Sequence, residues 1–291
     1  MLLQLILIIS KKSLKSIILF CIILLSFNCT NQQKENDWTK NGLKGQVKAY
    51  NQFNYEAEKR FGKIEKGKEL GCFKETYNEK GNIIGKNFYD KNGNLGIKNT
   101  YKYDEKGNKV EWNKYGSDGN LKDKKTYKYD DKGNLVEENT FNTDGSLDYR
   151  VSAYRYDEKG NKVESSMFNP DGSLEYKWVY GYDEGSNMVE FKGYYSDGNI
   201  YERHTYKYDE KDNRIELKIY KSDGLDQKLT YKYDEKGNRI ERKAHLSNGR
   251  LNMSSYKWTY EYDNERNWIK KVVFRDGTLT YIREREFEYY K

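Results

Sequence analysis

Polar and apolar residues alternate along most of this chain, and aromatic residues recur within the alternation at a near-constant step. Tyr127, Tyr129 and the stretch Asp130-Asp131-Lys132-Gly133-Asn134 form one copy of the unit. The aromatic-Asp-x-x-Gly-Asn core begins again at Tyr77 (with Asn78 for Asp), Tyr103, Tyr156, Tyr182, Tyr208, Tyr233 and Tyr262, in steps of 25 to 29 residues, mostly 26. A second signal lies between the cores: Asp118-Gly119, Asp144-Gly145, Asp171-Gly172, Asp197-Gly198, Asp223-Gly224, Asn248-Gly249 and Asp276-Gly277. A period of this size predicts an array of supersecondary units rather than one conventional globular core.

The local chemistry of both signals predicts hairpin turns. Asn169-Pro170-Asp171-Gly172 places proline, with φ fixed near −65°, at the second position of a type I turn, and glycine at a left-handed position that makes a G1 bulge. Asp130-Asp131-Lys132-Gly133 has the same layout, so both signals read as tight turns of one kind. The alternating intervals between them have ordinary strand lengths. The expected fold is therefore all-β: an antiparallel β-meander of ~26-residue hairpin repeats, about sixteen strands, forming one long twisted or curled sheet on the order of 75 Å across.

Turn geometry then sets an expected register. Tyr115 pairs with Leu121, and Tyr101 and Tyr103 share a face. That face is expected to collect Tyr89, Tyr115, Phe141, Phe168, Tyr194 and Tyr220, with Leu95, Leu121, Leu147, Leu174, Ile200 and Leu251. The tyrosine pairs such as Tyr127/Tyr129 and Tyr206/Tyr208 complete it, and it is expected to be the concave or covered face. The other face carries a thinner stripe of Ile84, Val110, Val136, Val163, Val189, Ile215, Ile240 and Ile269. Glu111, Glu137, Glu164, Glu190, Glu216 and Glu241 also recur, and this register puts them among the tyrosines. Either they bond to tyrosine hydroxyls or lysines there, or the register is off by one.

Residues 1–29 are a separate object. Lys11, Lys12 and Lys15 precede an apolar run from Ile17 to Leu25 that ends at Ser26-Phe27-Asn28-Cys29. This is a secretory signal rather than a fold element, and the run is short for a membrane span of ~20 residues. The stretch resembles a bacterial lipoprotein lipobox, with Leu25 four residues before Cys29 and a departure at Phe27 and Asn28, where small residues are usual. The resemblance implies that Cys29 is the lipidated first residue of the mature chain, which attaches to the membrane through that lipid and sits in the bacterial cell envelope. The alternatives are an uncleaved anchor or an ordinary signal peptide. Residues 30–37 read as a flexible tether. Residues 38–72 read as an N-terminal capping segment, with Val47, Tyr50, Phe53, Tyr55 and Phe61 available to cover the first hairpin. Residues 73–291 are the hairpin repeats, and Phe287-Glu288-Tyr289-Tyr290-Lys291 reads as a last strand with no toxin domain after it.

Charge and cysteine content narrow the function. Mean hydropathy is −1.13, but 29 tyrosines in register are not the composition of a disordered chain. The formal charge of +7 falls to +4 without the leader, which holds three lysines and no acid. The remainder is spread without a basic block, which gives nucleic-acid binding no support. With Cys21 in the leader and Cys29 lipidated, Cys72 has no partner for an internal disulfide.

The repeat resembles the YD repeats of bacterial RHS-type proteins, whose hallmark is Tyr-Asp-x-x-Gly-Arg/Asn. Tyr103-Asp104-Glu105-Lys106-Gly107-Asn108 and Tyr233-Asp234-Glu235-Lys236-Gly237-Asn238 carry the resemblance, which covers about residues 73–291 with a longer period than usual. It implies β-structured shells and carbohydrate-associated surface proteins.

No catalytic residue and no cofactor is predicted. No nucleophile elbow, Walker loop or dinucleotide fingerprint occurs, and the glycine turns do not open helices. His245 occupies a slot that other repeats fill with Tyr or Phe, and His204 lies mid-strand; their spacing matches no zinc site. The acidic turns match neither an EF-hand nor a calcium nonapeptide. Trp112, Trp178 and Trp258 break the repeat pattern and are the candidate ligand-binding aromatics, against the plainer reading that they pack the sheet. The expected function is a non-enzymatic envelope binding or scaffold module for a glycan or protein. The alternatives are an envelope polysaccharide hydrolase using repeat carboxylates, or an immunity or encapsulating partner of a secreted toxin.

Overall fold

In a computed structural model the described residues are 36–222, 224–248, 250 and 255–291, with the side chains of 150–153 also set aside. Cys29, Asp223, Gly249 and Leu251 lie outside the described residues. A one-turn helix, α1 (Asp37–Lys40), precedes eighteen strands. These are β1 (Val47–Arg60), β2 (Lys63–Tyr77), β3 (Ile83–Tyr89), β4 (Leu95–Tyr103), β5 (Lys109–Tyr115) and β6 (Leu121–Tyr129). Next come β7 (Leu135–Phe141), β8 (Leu147–Tyr156), β9 (Lys162–Phe168), β10 (Leu174–Tyr182), β11 (Met188–Tyr195) and β12 (Ile200–Tyr208). The last six are β13 (Arg214–Lys221), β14 (Gly224–Tyr233), β15 (Arg239–Leu246), β16 (Tyr256–Tyr262), β17 (Trp268–Arg275) and β18 (Thr278–Tyr289).

Every strand pairs antiparallel with the next, so the fold is the expected meander. The ladder does not stop at its ends. β1 pairs with β2 on one side and with β18 on the other, for example Phe53 facing both Cys72 and Glu284. The pairings therefore close into a ring of eighteen strands, with a perimeter of roughly 85 Å at ~4.8 Å per strand. Closure removes both exposed edges. Residues 38–72 are consequently not a cap laid over the array: they supply β1 and most of β2, two full members of the ring. Phe61, assigned to that cap, is fully exposed in the turn between them. The polar stretch also ends early, because Asp37 belongs to α1, whose Asn36 cap accepts from Thr39 N–H.

The Asp-x-x-Gly-Asn turns form as their chemistry dictates. In the Asp130 turn, Gly133 N–H donates to the Asp130 carbonyl at 3.0 Å and Asp130 N–H to the Asn134 carbonyl at 2.9 Å, with Gly133 at φ 81°. The Asp130 carboxylate accepts from Asn134 N–H at 2.7 Å. Asn169-Pro170-Asp171-Gly172 builds the same type I plus G1 turn, with Gly172 at φ 87°. The turns are not all of one kind, however. Arg275 pairs directly with Thr278, and Asp276 and Gly277 both have positive φ, which makes a two-residue I′ turn. In three divergent cores a non-glycine residue holds the left-handed position: Ser186, Asp212 and Arg266. A side chain there costs ~1–2 kcal/mol, partly offset by the greater chain entropy of glycine. Arg266→Gly, at an exposed site with φ 69°, is therefore expected to stabilise the protein by about 0.5–1 kcal/mol. The check is a higher urea midpoint at unchanged slope.

The register differs from expectation in one systematic way. Tyr129 faces Leu135 but Lys128 faces Glu137, leaving Val136 unpaired as a β-bulge. The same step recurs at Ile84, Val110, Val163, Val189, Ile215, Ile240 and Ile269. The whole aliphatic stripe is thus a set of bulge residues. Each bulge reverses the side-chain parity of the rest of its strand. As a result Glu111, Glu137, Glu164, Glu190, Glu216 and Glu241 lie opposite Lys102, Lys128, Arg155, Gly181, Lys207 and Lys232, on the face away from the tyrosine pairs. Tyr115 does pair with Leu121, but this pair and its counterparts at Tyr89, Phe141, Phe168 and Tyr194, with Tyr220, also belong to that other face.

The tyrosine-pair face holds most of the buried residues, with Val272 and Ile282 buried on the other. Among the described residues little but α1 packs on the sheet, so curvature toward the inside of the ring is what shields it. The lysines between paired tyrosines point the other way and remain well exposed, Lys128 at 69%. Two clusters on the inner face are dry: Leu43, Val47, Tyr50 and Tyr77 beneath Trp38, and Leu217, Leu229, Tyr231 and Ala244.

Candidate functional site

The inner face is built from one interaction repeated around the ring. In most repeats the second tyrosine reaches back one repeat and donates its hydroxyl to a backbone carbonyl. Tyr129 bonds to Lys109, Tyr156 to Leu135, Tyr182 to Lys162, Tyr208 to Met188 and Tyr233 to Arg214, all at 2.8–2.9 Å. The residue supplying that carbonyl is the one directly after the Asn that closes the turn, and its side chain enters the tyrosine face. Where it is a cation, it stacks on the rings of neighbouring repeats. Lys109 lies 4.7 Å from the Tyr127 ring, Lys162 4.6 Å from Tyr180, Arg214 5.3 Å from Tyr231, and Arg239 4.5 Å from Tyr231. Burial pushes the Lys109 amine down from its usual value, and pushes the Tyr129 hydroxyl up to about 12. Sequence reading missed these cations, although Lys109, Lys162, Arg214 and Arg239 each directly follow an Asn.

The outer face has a different electrostatic order. Lys102–Glu111 (2.7 Å), Lys128–Glu137 (2.8 Å), Arg155–Glu164 (2.9 Å) and Lys232–Glu241 (3.3 Å) form cross-strand ion pairs, one per repeat. These charged pairs share the outer face with the aromatic row of Tyr115 and its counterparts. The hydrogen bond from Lys102 holds the Glu111 carboxyl below its usual range, and Lys192 does the same for Glu190. Among the described residues no helix is long and apolar enough to cross a membrane, and no group of His, Cys, Asp or Glu is placed to hold a metal ion.

The three candidate tryptophans all face inward but do not meet. Trp112 on β5 donates to Asn99 Oδ1 at 3.2 Å. Trp178 on β10 donates to the Tyr201 hydroxyl at 2.8 Å and stacks on Tyr176. Gly193 is the partner of Trp178 across the ladder, and Tyr201 folds over it, where any Cβ would collide. Trp258 on β16 stacks on Tyr256 at 5.9 Å and 8°. Of the three, only Trp258 joins a cationic group among the described residues, with Lys271 5.2 Å from its ring. His204 also faces inward, with Nε2 3.0 Å from Glu202 and its ring 5.1 Å from Phe191. His245 faces Lys228, as Tyr115 faces Lys98, on the outer face. Cys72 is a part-buried free thiol pushed up by burial.

Lys271 is the inner-face lysine whose titration is most displaced. Burial, reinforced by Arg283, Arg285 and Arg239, lowers it from 10.5 to about 8. The unfolded chain therefore holds this proton at pH values where the folded chain has released it. Stability is expected to rise from about pH 8 to about pH 10. Above that it falls, because tyrosines such as Tyr260, pushed up to about 12 chiefly by burial, ionise first in the unfolded chain. Urea midpoints across this range check both limbs, and Lys271→Met should flatten the rising one.

A family model described as an uncharacterised protein matches residues 115–213, about a third of the chain. No curated protein matches the sequence. Among solved structures, the chain is similar to a porin-like protein from Bacteroides uniformis, at 10% identity and TM-score 0.43, covering 83% of this chain and 98% of that one. A porin-like protein from Bacteroides vulgatus is similar at 14% identity and TM-score 0.29, covering 84% and 98%. The complex TcdB2-TccC3-Cdc42 is similar at 16% identity and TM-score 0.36, covering 73% of this chain and 12% of that one. All three TM-scores are below 0.5, and the function of this chain is read from its own residues.

Proposed function

We propose that this protein is a non-enzymatic binding module of the bacterial cell envelope, held at the membrane by a lipid on Cys29, that takes a glycan ligand on the inner face of its ring. The observation that carries the reading is the cation–aromatic ladder: lysines and arginines buried against tyrosine rings on a concave face, with the charge-neutralising carboxylates of the repeat turned outward. Aromatic faces stack on sugar rings, and the cations beside them supply hydrogen-bond donors. A ring of this strand number leaves space that its own side chains do not fill. The concavity favours an extended chain over a folded protein partner.

The hydrolase alternative has less support. A glycosidase needs one carboxyl that stays protonated near neutral pH. The recurrent glutamates sit in ion pairs, and Glu111 and Glu190 are held ionised. The test is a glycan array probed with the full chain, with product analysis on any glycan bound. Retention without cleavage is expected; turnover abolished by a single Asp or Glu substitution would replace the binding reading with the enzymatic one. Separately, Cys29→Ala should abolish palmitate labelling and release the protein from membranes, and unchanged labelling would remove the lipid anchor.

A further inference from the structure

The cations of the inner face are not evenly placed. On β17 and β18 they converge: Lys271 pairs directly with Arg283 across the ladder, and Arg285 lies two residues further along the same face. Arg239 approaches from β15, where its carbonyl accepts the Tyr260 hydroxyl at 2.8 Å. Trp258 and Trp268 complete the sector, with the Lys271 amine 5.2 and 5.8 Å from their rings and the Arg285 guanidinium 3.7 Å from Trp268.

This concentration of charge has no internal counterion. None of the four cations makes an ion pair among the described residues, and Arg285 has only the amide oxygen of Gln52, at 3.1 Å. The Nε–H groups of Arg239 and Arg283 are buried with no acceptor, a costly arrangement for a charged donor. Glu75, which acts on Arg285, and Asp234, which acts on Tyr260, are already engaged elsewhere. Glu75 accepts from Tyr50 and Tyr77 and pairs with Lys86. Asp234 accepts from Asn238 N–H and the Tyr262 hydroxyl. A repeat array that pairs its outer-face glutamates with lysines or arginines has left four like charges together here, with Arg239 4.5 Å from the Tyr231 ring and Arg285 3.7 Å from Trp268.

We infer that the Arg239–Lys271–Arg283–Arg285 sector is an anion-binding site, specific for a ligand carrying two or more carboxylate, sulfate or phosphate groups. This deepens the binding reading above and rests on it: the inner-face ligand is an acidic rather than a neutral saccharide. Guanidinium edges grip such oxyanions bidentately, and Lys271 supplies a point charge between them. Trp258 and Trp268 form the apolar wall of the site.

Calorimetry of the full chain in detergent, titrated with trigalacturonate, neutral galactotriose and inorganic phosphate, tests this. Trigalacturonate is expected to bind at least about tenfold tighter than galactotriose, and more weakly as salt is raised. Inorganic phosphate is expected to compete with it. Lys271→Gln combined with Arg283→Gln should weaken trigalacturonate at least about tenfold. Lys102→Gln combined with Lys128→Gln, cations of the outer face, should leave it unchanged. Far-UV circular dichroism and urea midpoints show that each variant is folded, and Lys271→Arg should retain binding where the Gln variant is unstable. Equal affinity for charged and neutral sugars, lost in neither variant, would overturn the anion site while leaving inner-face binding intact. Binding of no saccharide at all would overturn both.

Discussion

Replacing Glu75 with alanine is expected to destabilise the protein by about 3–5 kcal/mol, because it strands the part-buried Lys86 ammonium and two buried hydroxyl donors. Glu75 is 4% exposed, and its carboxylate accepts from Tyr50 at 2.8 Å and Tyr77 at 2.6 Å while pairing with Lys86. Tyr50 and Tyr77 are themselves the centre of the core beneath Trp38, and Tyr50 also packs on Phe73 and Phe287. The network therefore ties together β1, β2 and β18 beside α1. Glu75→Gln keeps an acceptor in place and should cost only about 1–2 kcal/mol. Glu75→Leu with Lys86→Leu removes both charges and should recover much of the loss seen in the alanine variant. Urea unfolding of the set measures the order. If the alanine and glutamine variants unfold together, the carboxylate is not what holds this corner.

Ile282→Pro is expected to break the ring. Ile282 is fully buried and lies opposite Tyr55 in β1 and Val272 in β17. In a closed sheet every strand is a central strand, so a proline there removes a ladder donor whichever neighbour it served. The backbone term alone is ~3 kcal/mol or more, and the lost burial of the isoleucine side chain adds to it. The consequence reaches beyond local stability. Parting β18 from β1 exposes two unpaired edges at once, and exposed edges pair with other chains. A lowered urea midpoint should therefore come with aggregates on size exclusion. Asn264→Pro, at the exposed second position of the turn before β17, the slot that Pro170 fills in its own turn, should do neither. Equal behaviour of the two variants would mean that the β1–β18 seam does not hold the ring.

The candidate site was legible in unequal parts. Every repeat could be counted from its turns, and the Asp130 and Asn169 turns have the hydrogen bonds that their residues imply. The faces were misjudged because Val110 and its counterparts look like ordinary β-branched strand residues. An alternation count cannot tell a paired valine from a bulged one, and the bulge is decided by the ladder on both sides. One misplaced residue per repeat moved six glutamates and a whole aromatic row to the wrong face. The stacked cations were readable in principle from the Lys or Arg after the Asn that closes each turn, provided that this position turns inward. The tryptophans were correctly singled out as departures, but their separation around the ring comes from strand order, which places β5, β10 and β16 in different sectors.

Strand content, hairpin direction and turn geometry are properties of short stretches. Local chemistry specified them in this chain: an acceptor side chain, a glycine free to adopt positive φ, and alternating aromatics between. Whether the last strand meets the first is not a local property. It depends on twist and bulge accumulated over seventeen hairpin links, and on β1 and β2, which carry little of the repeat signature. That long-range meeting of β1 with β18 made one face concave and dry, and it gathered Lys271, Arg283 and Arg285 beside Arg239.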